Sequence, residues 1–146
     1  MLPDTLHELS TDERFVYAKL LAHISRIDEE LSVGEMMLFE QRLGSALLSP
    51  SKRKEIRGFL TQPPSLQECL DDLSRLADPL DRAGKLALRD AVMMSAADGE
   101  IDDDELEALY AIAGHLEMDK EIVKSLVKWC QSGWEWMQES QNILFG

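Results

Sequence analysis

The sequence has few bases, few cysteines and no long apolar segment. Lysine and arginine total 15 against 28 aspartates and glutamates, so the 146 residues carry a net charge of −13. This excess of acid disfavours nucleic acids and anionic membrane surfaces, because both are bound by basic side chains. No stretch approaches the roughly 18 apolar residues of a membrane-spanning helix, so we expect no membrane insertion. The acidic balance favours a cation or a basic protein surface as the partner.

The small number of cysteines and the absence of catalytic motifs exclude further classes of protein. Cys69 and Cys130 lack the close spacing of a metal or redox motif. The first residues do not combine a basic segment with an apolar run, so we predict no signal peptide. A cytoplasmic protein with two reduced, buried thiols is the resulting prediction. We find no phosphate-binding glycine loop, zincin histidine pair or serine elbow, and we predict a protein without enzymatic activity.

What the sequence does contain is helical periodicity. Apolar residues recur every three or four positions, as they do on one face of an α-helix. Val16, Leu20, Ile24 and Ile27 form the first such set. No segment alternates convincingly with a period of two, and β-branched residues are sparse. We therefore predict an all-α fold in a single globular domain, residues 1–146.

Capping residues and prolines mark where the helices begin. Four residues are each followed three positions later by glutamate, which is the capping-box spacing or its aspartate analogue: Ser10, Ser32, Ser65 and Asp102. Ser49-Pro50 and Asp78-Pro79 each predict an N-cap followed by proline at the first helical position. The eight predicted helices lie near residues 11–27, 33–48, 50–60, 66–76, 79–97, 103–117, 120–131 and 134–144.

An acidic segment occurs twice, 70 residues apart. The first copy, DEELSVGE, runs from Asp28 to Glu35, and the second, DGEIDDDE, runs from Asp98 to Glu105. At this offset the sequence also matches Ser25 with Ser95 and Gly44 with Gly114. An internal repeat of this kind predicts two related helical halves, about residues 11–60 and 79–131. Each half would contain a helix, a short acidic turn and a second helix.

Two interpretations of the acidic turns remain open, and the first is a divalent-cation site. Calcium and magnesium prefer oxygen ligands such as carboxylates. The candidate ligands are Asp98, Glu100, Asp102 and Glu105, with Asp28, Glu30 and Glu35 as a weaker counterpart. The site would not be an EF-hand loop. With Gly99 at the sixth loop position, the first and third positions fall on Met94 and Ala96, which cannot ligate.

The second interpretation is structural. Asp102 would cap a helix, and Asp103 and Asp104 would lie in the first turn, where acids oppose the positive end of the helix dipole. This interpretation leaves Asp98 and Glu100 unexplained, together with their counterparts in the first copy.

Single residues raise narrower expectations. Asp90 falls at the position of Leu20 in the first half, and we interpret it as part of a helix face that is exposed in one half only. A cation ligand and a salt bridge to a nearby base are the alternatives. Gly44 and Gly114 lie late in two helices, where glycine costs about 1 kcal/mol, and we predict close helix packing at both.

Aromatic residues gather near the C-terminus. They are Trp129, Trp134, Trp136 and Phe145, and Ser132-Gly133 is predicted to break the helix between them. Aromatics at this density either cover a core or form an exposed surface for a partner protein or a second copy of the chain. We predict that Trp129 belongs to the core and leave Trp134 and Trp136 open.

The segment AADGEIDDDEL, from Ala96 to Leu106, resembles the signature of TerB-like domains, the tellurite-resistance B family. That signature is a small residue, Asp-Gly-Glu, an aliphatic residue and an acidic stretch ending in Glu. The resemblance covers about residues 15–130, and the first copy departs from it with Glu29 in place of glycine and Ser32 in place of the acid. It implies an all-α fold with duplicated halves, and a metal-linked or scaffolding role in bacterial stress responses.

Together these observations predict a non-enzymatic, stress-associated module. It would bind a protein partner and, at the acidic turns, calcium or magnesium. The alternative is a purely structural interaction domain that uses the C-terminal aromatics, with the acids acting as helix caps.

Overall fold

A computed structural model describes residues 4–27, 32–97 and 100–146. Within these ranges the chain forms helices and no strands, so the all-α prediction is confirmed. The helices are α1 (Thr11–Ser25), α2 (Val33–Ser45), α3 (Pro50–Gly58), α4 (Leu66–Arg75), α5 (Arg82–Ser95), α6 (Asp103–His115) and α7 (Glu121–Phe145), preceded by a 3-10 turn (Leu6–Glu8). None of them is both long and apolar enough to cross a membrane.

Helices α1 and α5 pack against each other at the centre, and the other helices surround them. Residues 17–25 of α1 and 87–95 of α5 show the same order of buried and half-buried positions, at an offset of 70. Buried alanines fill core positions on both helices, among them Ala22 on α1 and Ala91 on α5. The apolar face that the sequence predicts for α1 and for α5 is therefore the face that packs in the core.

Local side-chain bonds explain where several helices begin. Ser10 and Glu13 form a complete capping box: the Ser10 hydroxyl accepts the N–H of Glu13, and the Glu13 carboxylate accepts the N–H of Ser10. The side chains of Ser32, Ser49, Ser65 and Asp102 each accept a backbone N–H three residues later. These N-cap predictions are confirmed. Such a bond satisfies one of the free donors at a helix start.

The predicted start of the fifth helix is wrong. The helix begins at Arg82 rather than at Pro79. The Asp78 carboxylate accepts the backbone N–H groups of Leu80 and Arg82, each at 3.1 Å, and it also accepts the Arg82 guanidinium at 2.9 Å. These bonds hold residues 79–81 as a separate turn, and Asp81 adopts a left-handed conformation with φ of 50°.

The predicted break at Ser132-Gly133 is also wrong. Helix α7 is continuous from Glu121 to Phe145, so the described chain has one long helix where we predict two. A glycine inside a helix costs about 1 kcal/mol, which is too little to end a helix whose neighbours favour it. The Ser132 hydroxyl donates to the carbonyl of Lys128 at 3.1 Å, so it is satisfied within the helix.

The glycine predictions fail at both positions. A Cβ atom at Gly44 or Gly114 would meet nothing within 4 Å, so neither glycine marks close helix packing. The close approach occurs at Gly84 on α5. A Cβ atom there would lie 2.6 Å from Cδ2 of Leu116, which follows α6. Any larger residue at position 84 would therefore have to displace the Leu116 side chain.

Both thiols lie in the core, as predicted. Cys69 and Cys130 are free and buried. Burial raises the pKa of the Cys69 thiol to about 12 and that of the Cys130 thiol to about 11. Both therefore stay protonated at neutral pH and pack as small apolar groups.

Candidate functional site

The acidic turns are described only in part. Asp28 and Glu30 of the first turn and Asp98 of the second lie outside the described residues. Glu100 and Asp102 are exposed, whereas the side chains at the third helical position are buried: Glu35 is 8% exposed and Glu105 is 5% exposed. The two turns therefore bury a carboxylate at equivalent positions.

The described bonds at these turns are helix caps. The Asp102 carboxylate accepts the N–H of Glu105 at 2.8 Å, and the Ser32 hydroxyl accepts the N–H of Glu35 at 3.1 Å. The capping role that the structural interpretation gives Asp102 is thus confirmed. Within residues 4–27, 32–97 and 100–146 no group of three or more His, Cys, Asp or Glu side chains could hold a metal ion. The cation site remains a prediction, because three of its seven residues lie outside those ranges.

Asp90 is the buried charge at the centre of the fold. Our interpretation of an exposed helix face is wrong, because Asp90 and Leu20 are both 0% exposed. The salt-bridge alternative is confirmed. The Asp90 carboxylate accepts hydrogen bonds from the Tyr17 hydroxyl, from Nε of Arg42 at 3.0 Å and from Nε of Arg89 at 2.8 Å.

Asp4 completes this group, which we call the Asp90 cluster: Asp4, Tyr17, Arg42, Arg89 and Asp90. Nη2 of Arg42 lies 2.5 Å from Oδ2 of Asp4, and Nη2 of Arg89 lies 3.7 Å from Oδ1 of Asp4. Two aspartates and two arginines balance each other in charge. The cluster links α1, α2, α5 and the segment before the 3-10 turn.

The electrostatics of the cluster indicate a structural role. Burial and the neighbouring Asp90 carboxylate raise the pKa of the Tyr17 hydroxyl well above 10.0, so Tyr17 acts as a hydrogen-bond donor. Burial alone would lower the pKa of Arg42, but Asp90, Tyr17 and Asp4 together outweigh it and the pKa is raised. Burial likewise opposes ionisation of Asp4, yet the hydrogen bonds from Arg42 and from the Leu6 N–H, with the charges of Arg42 and Arg89, lower its pKa on balance. These shifts keep Tyr17 protonated, Arg42 charged and Asp4 ionised, which suits helix packing better than proton transfer.

The second half of α7 is the other unusual region. Every residue from 131 to 146 is exposed, and we call residues 131–145 the outer half of α7. Its apolar side chains are largely uncovered: Trp136 is 70% exposed, Ile143 is 78% exposed and Leu144 is 71% exposed. The first half of the same helix buries Val123 and Cys130 against the rest of the fold.

These apolar residues share one face of α7. Trp129, Trp136 and Ile143 are seven residues apart, which is nearly two helical turns, so they form a row along the helix. Cys130, Met137 and Leu144 form a second row with the same spacing. The apolar face that meets the core through Cys130 therefore continues, uncovered, along the outer half.

Sequence reasoning identified this region but not its extent. The prediction that Trp129 belongs to the core is wrong, because its side chain is exposed and its neighbour Cys130 is buried instead. Met137, Ile143 and Leu144 were missed. The seven-residue spacing from Trp129 through Trp136 to Ile143 was the available signal, and the predicted break at Gly133 concealed it.

Comparison with known proteins gives no independent identification, since the chain matches no family model, no curated protein and no solved structure. The TerB-like resemblance rests on the acidic motif and on its repetition 70 residues apart.

Proposed function

We propose that this protein is a non-enzymatic helical interaction module whose contact surface is the apolar face of the outer half of α7. The observation that carries the proposal is the exposure of Trp136, Ile143 and Leu144 on a helix that is otherwise anchored in the core. Contiguous exposed apolar surface on a soluble domain is typical of interaction sites. Tryptophan in particular is enriched among residues that dominate binding energy.

The geometry also suits a known mode of recognition. An amphipathic helix can lay its apolar face against a partner, with anchors spaced three, four and seven residues apart. Trp136 and Ile143 are seven residues apart, and so are Met137 and Leu144. The polar residues Glu135, Gln138 and Asn142 lie away from them on the helix. The partner would cover the rows of large side chains while the polar side stays in water.

The test compares proteins that the chain retains from a cell extract. We would immobilise the wild type, a Trp136→Ser/Ile143→Ser variant and an Asn142→Arg control, and quantify bound proteins by mass spectrometry. We expect the wild type and the control to retain the same partners and the double variant to lose them at least about tenfold, since central anchors contribute 2 kcal/mol or more. Equal retention by all three, together with unchanged self-association of the double variant, would overturn the proposal.

A cation site at the acidic turns is the second candidate function. It is favoured by the burial of Glu35 and Glu105 at equivalent places beside turns rich in acid. We would titrate calcium or magnesium and follow thermal unfolding. An ion at 100 times its dissociation constant should stabilise the fold by about 2.7 kcal/mol. An Asp98→Asn/Glu100→Gln variant should lose this shift. If neither ion changes the melting temperature, or if the variant keeps the change, the cation hypothesis is wrong.

We also propose that the two halves arose by duplication, about residues 11–60 and 79–131. The identical burial order of residues 17–25 and 87–95 supports this, and so do the matching caps at Ser32 and Asp102. Helices α2 and α6 are also followed by left-handed residues at the same offset, Leu47 with φ of 54° and Glu117 with φ of 58°. Three further proposals are membership of the TerB-like family, a role in bacterial stress and a cytoplasmic location. The first two rest on the acidic motif from Ala96 to Leu106.

A further inference from the structure

We propose that the outer half of α7 binds the outer half of α7 in a second copy of this chain, antiparallel and centred near residue 138. This inference rests on the proposed function, which makes that face the contact surface. It names the partner as the chain itself and fixes the register of the contact.

The shape of the face is the first argument. Between the two rows of large side chains lie the small residues Gly133 and Ser140, again seven apart. A Cβ atom at Gly133 would meet nothing within 4 Å, so no contact inside the described chain requires a glycine there. A groove of about 270 Å³ lies at this position, bordered by Trp129, Trp136 and Met93. The face therefore offers a recess beside projecting side chains.

The second argument is register. The midpoint between Gly133 and Ile143 is residue 138, and so is the midpoint between Trp136 and Ser140. An antiparallel pair centred there sets Ile143 of each copy over Gly133 of the other, and Trp136 of each copy over Ser140 of the other. Such a contact is isologous, because residue i meets j and j meets i. A parallel pair would instead oppose Trp136 to Trp136 and Gly133 to Gly133, which matches large with large and leaves a gap.

The third argument is charge. The face itself carries no charged side chain, since Glu135 lies on the opposite side of the helix. With a net charge of −13 per chain, two copies repel each other, and antiparallel helices place the rest of each copy at opposite ends of the pair. Glu139 lies at the flank of the face, where it would approach Glu139 of the other copy near the centre of the pair. Its charge should weaken the pair, so its removal tests whether the two copies meet near residue 139.

The exposed area is sufficient for a specific contact. Four side chains form the part of the two rows that this register covers: Trp136, Met137, Ile143 and Leu144. Taken at their exposed fractions, they present on the order of 600 Å² of mostly apolar surface. Specific protein interfaces bury about 600–1,000 Å² on each partner, so this face reaches the lower end of that range. A second copy would therefore bury apolar surface that a monomer exposes to water.

The first experiment is sedimentation equilibrium over a wide range of protein concentrations. We would compare the wild type with Ser140→Arg, on the face, and Asn142→Arg, two residues further along on the opposite side. We expect a reversible dimer for the wild type and Asn142→Arg, and at least a tenfold weaker dimer for Ser140→Arg. Circular dichroism would check that each variant is equally helical. A wild type that stays monomeric, or equal dimerisation of all three, would overturn the inference.

The second experiment tests the register. Glu139→Gln should tighten the dimer severalfold at low salt, with the difference shrinking as salt screens the charges. In a mixture of Gly133→Cys and Ile143→Cys chains, oxidation should join position 133 of one copy to position 143 of the other. Cross-linking of Ile143→Cys chains with each other instead, or no tightening by Glu139→Gln, would contradict the antiparallel register.

Failure of self-pairing can be separated from failure of the proposed function. A monomeric wild type whose retained partners disappear in Trp136→Ser/Ile143→Ser would refute the dimer and support the contact surface. A monomer that retains the same proteins with and without those two side chains would refute both.

Discussion

The Asp90 cluster and the outer half of α7 are opposites. The cluster buries charged side chains at the centre of the fold, where charge is costly, and the outer half exposes apolar side chains to water, where apolar area is costly. In the cluster, Asp90 accepts hydrogen bonds from three side chains on α1, α2 and α5. In the outer half, Trp136, Ile143 and Leu144 remain uncovered.

The two regions differ in whether their energetic cost is offset by contacts within the chain. The cost of burying Asp90 is offset by partners that the chain supplies itself. The exposed face has no comparable compensation within residues 4–27, 32–97 and 100–146. An interaction partner would supply it, and substitutions in the two regions should therefore affect different properties.

The largest effect is expected at the centre. Asp90→Ala leaves the half-buried guanidinium groups of Arg42 and Arg89 without their shared carboxylate, and breaking a buried ion pair costs up to about 3–5 kcal/mol. We expect a loss of this size in the free energy of unfolding measured with urea. Asp71→Ala, on the exposed side of α4, is the matched control and should change stability little. Similar small losses for both variants would show that the cluster is not needed for stability.

A smaller effect is expected from Tyr17→Phe, which removes one hydrogen bond to the Asp90 carboxylate. Such bonds to charged groups contribute about 1.5–3 kcal/mol. Because burial raises the pKa of Tyr17 above 10.0, the folded state keeps a proton that the unfolded state loses at high pH. The stabilisation is therefore fully present below pH 10.0 and is lost as the pH rises toward the folded pKa.

Absorbance titration checks this pH dependence directly. The chain has two tyrosines, Tyr17 and Tyr110. We expect one of them to ionise only when the protein unfolds, and we expect that delayed ionisation to vanish in Tyr17→Phe and to persist in Tyr110→Phe. Ionisation of both tyrosines in the folded protein near their ordinary pKa would contradict the buried hydrogen bond.

The smallest effect on stability is expected at the exposed face. Trp136→Ser removes a large apolar side chain that contributes little to the core, so the free energy of unfolding should change by no more than about 0.5 kcal/mol at concentrations where the chain is monomeric. Urea unfolding of dilute protein is the measurement. A loss of several kcal/mol would mean that Trp136 packs within its own chain, and the contrast between the two regions would disappear.

The sequence predicted the local features of the fold and missed the distant ones. Caps such as Ser10 with Glu13 depend on residues three positions apart, so their chemistry can be recognised from spacing alone. The partners of Asp90 are 48 residues away at Arg42 and 73 residues away at Tyr17. No periodicity links positions that far apart, and the exposed-face interpretation of Asp90 failed for that reason.

Helix α7 shows a different kind of error. Gly133 is a sound local signal for a break, but its cost of about 1 kcal/mol is small beside the hydrogen bonds that continue on both sides. The wrong boundary also separated Trp129 from Trp136 and Ile143, so the row that they form was not recognised. For the acidic turns the sequence predicted the caps correctly, while the cation site remains a prediction.

All three tryptophans of the chain, Trp129, Trp134 and Trp136, lie on α7. Intrinsic tryptophan emission is therefore a signal from this one helix, and the remainder of the chain contributes none of it. Events that cover or uncover α7 can be followed by emission wavelength without an attached dye.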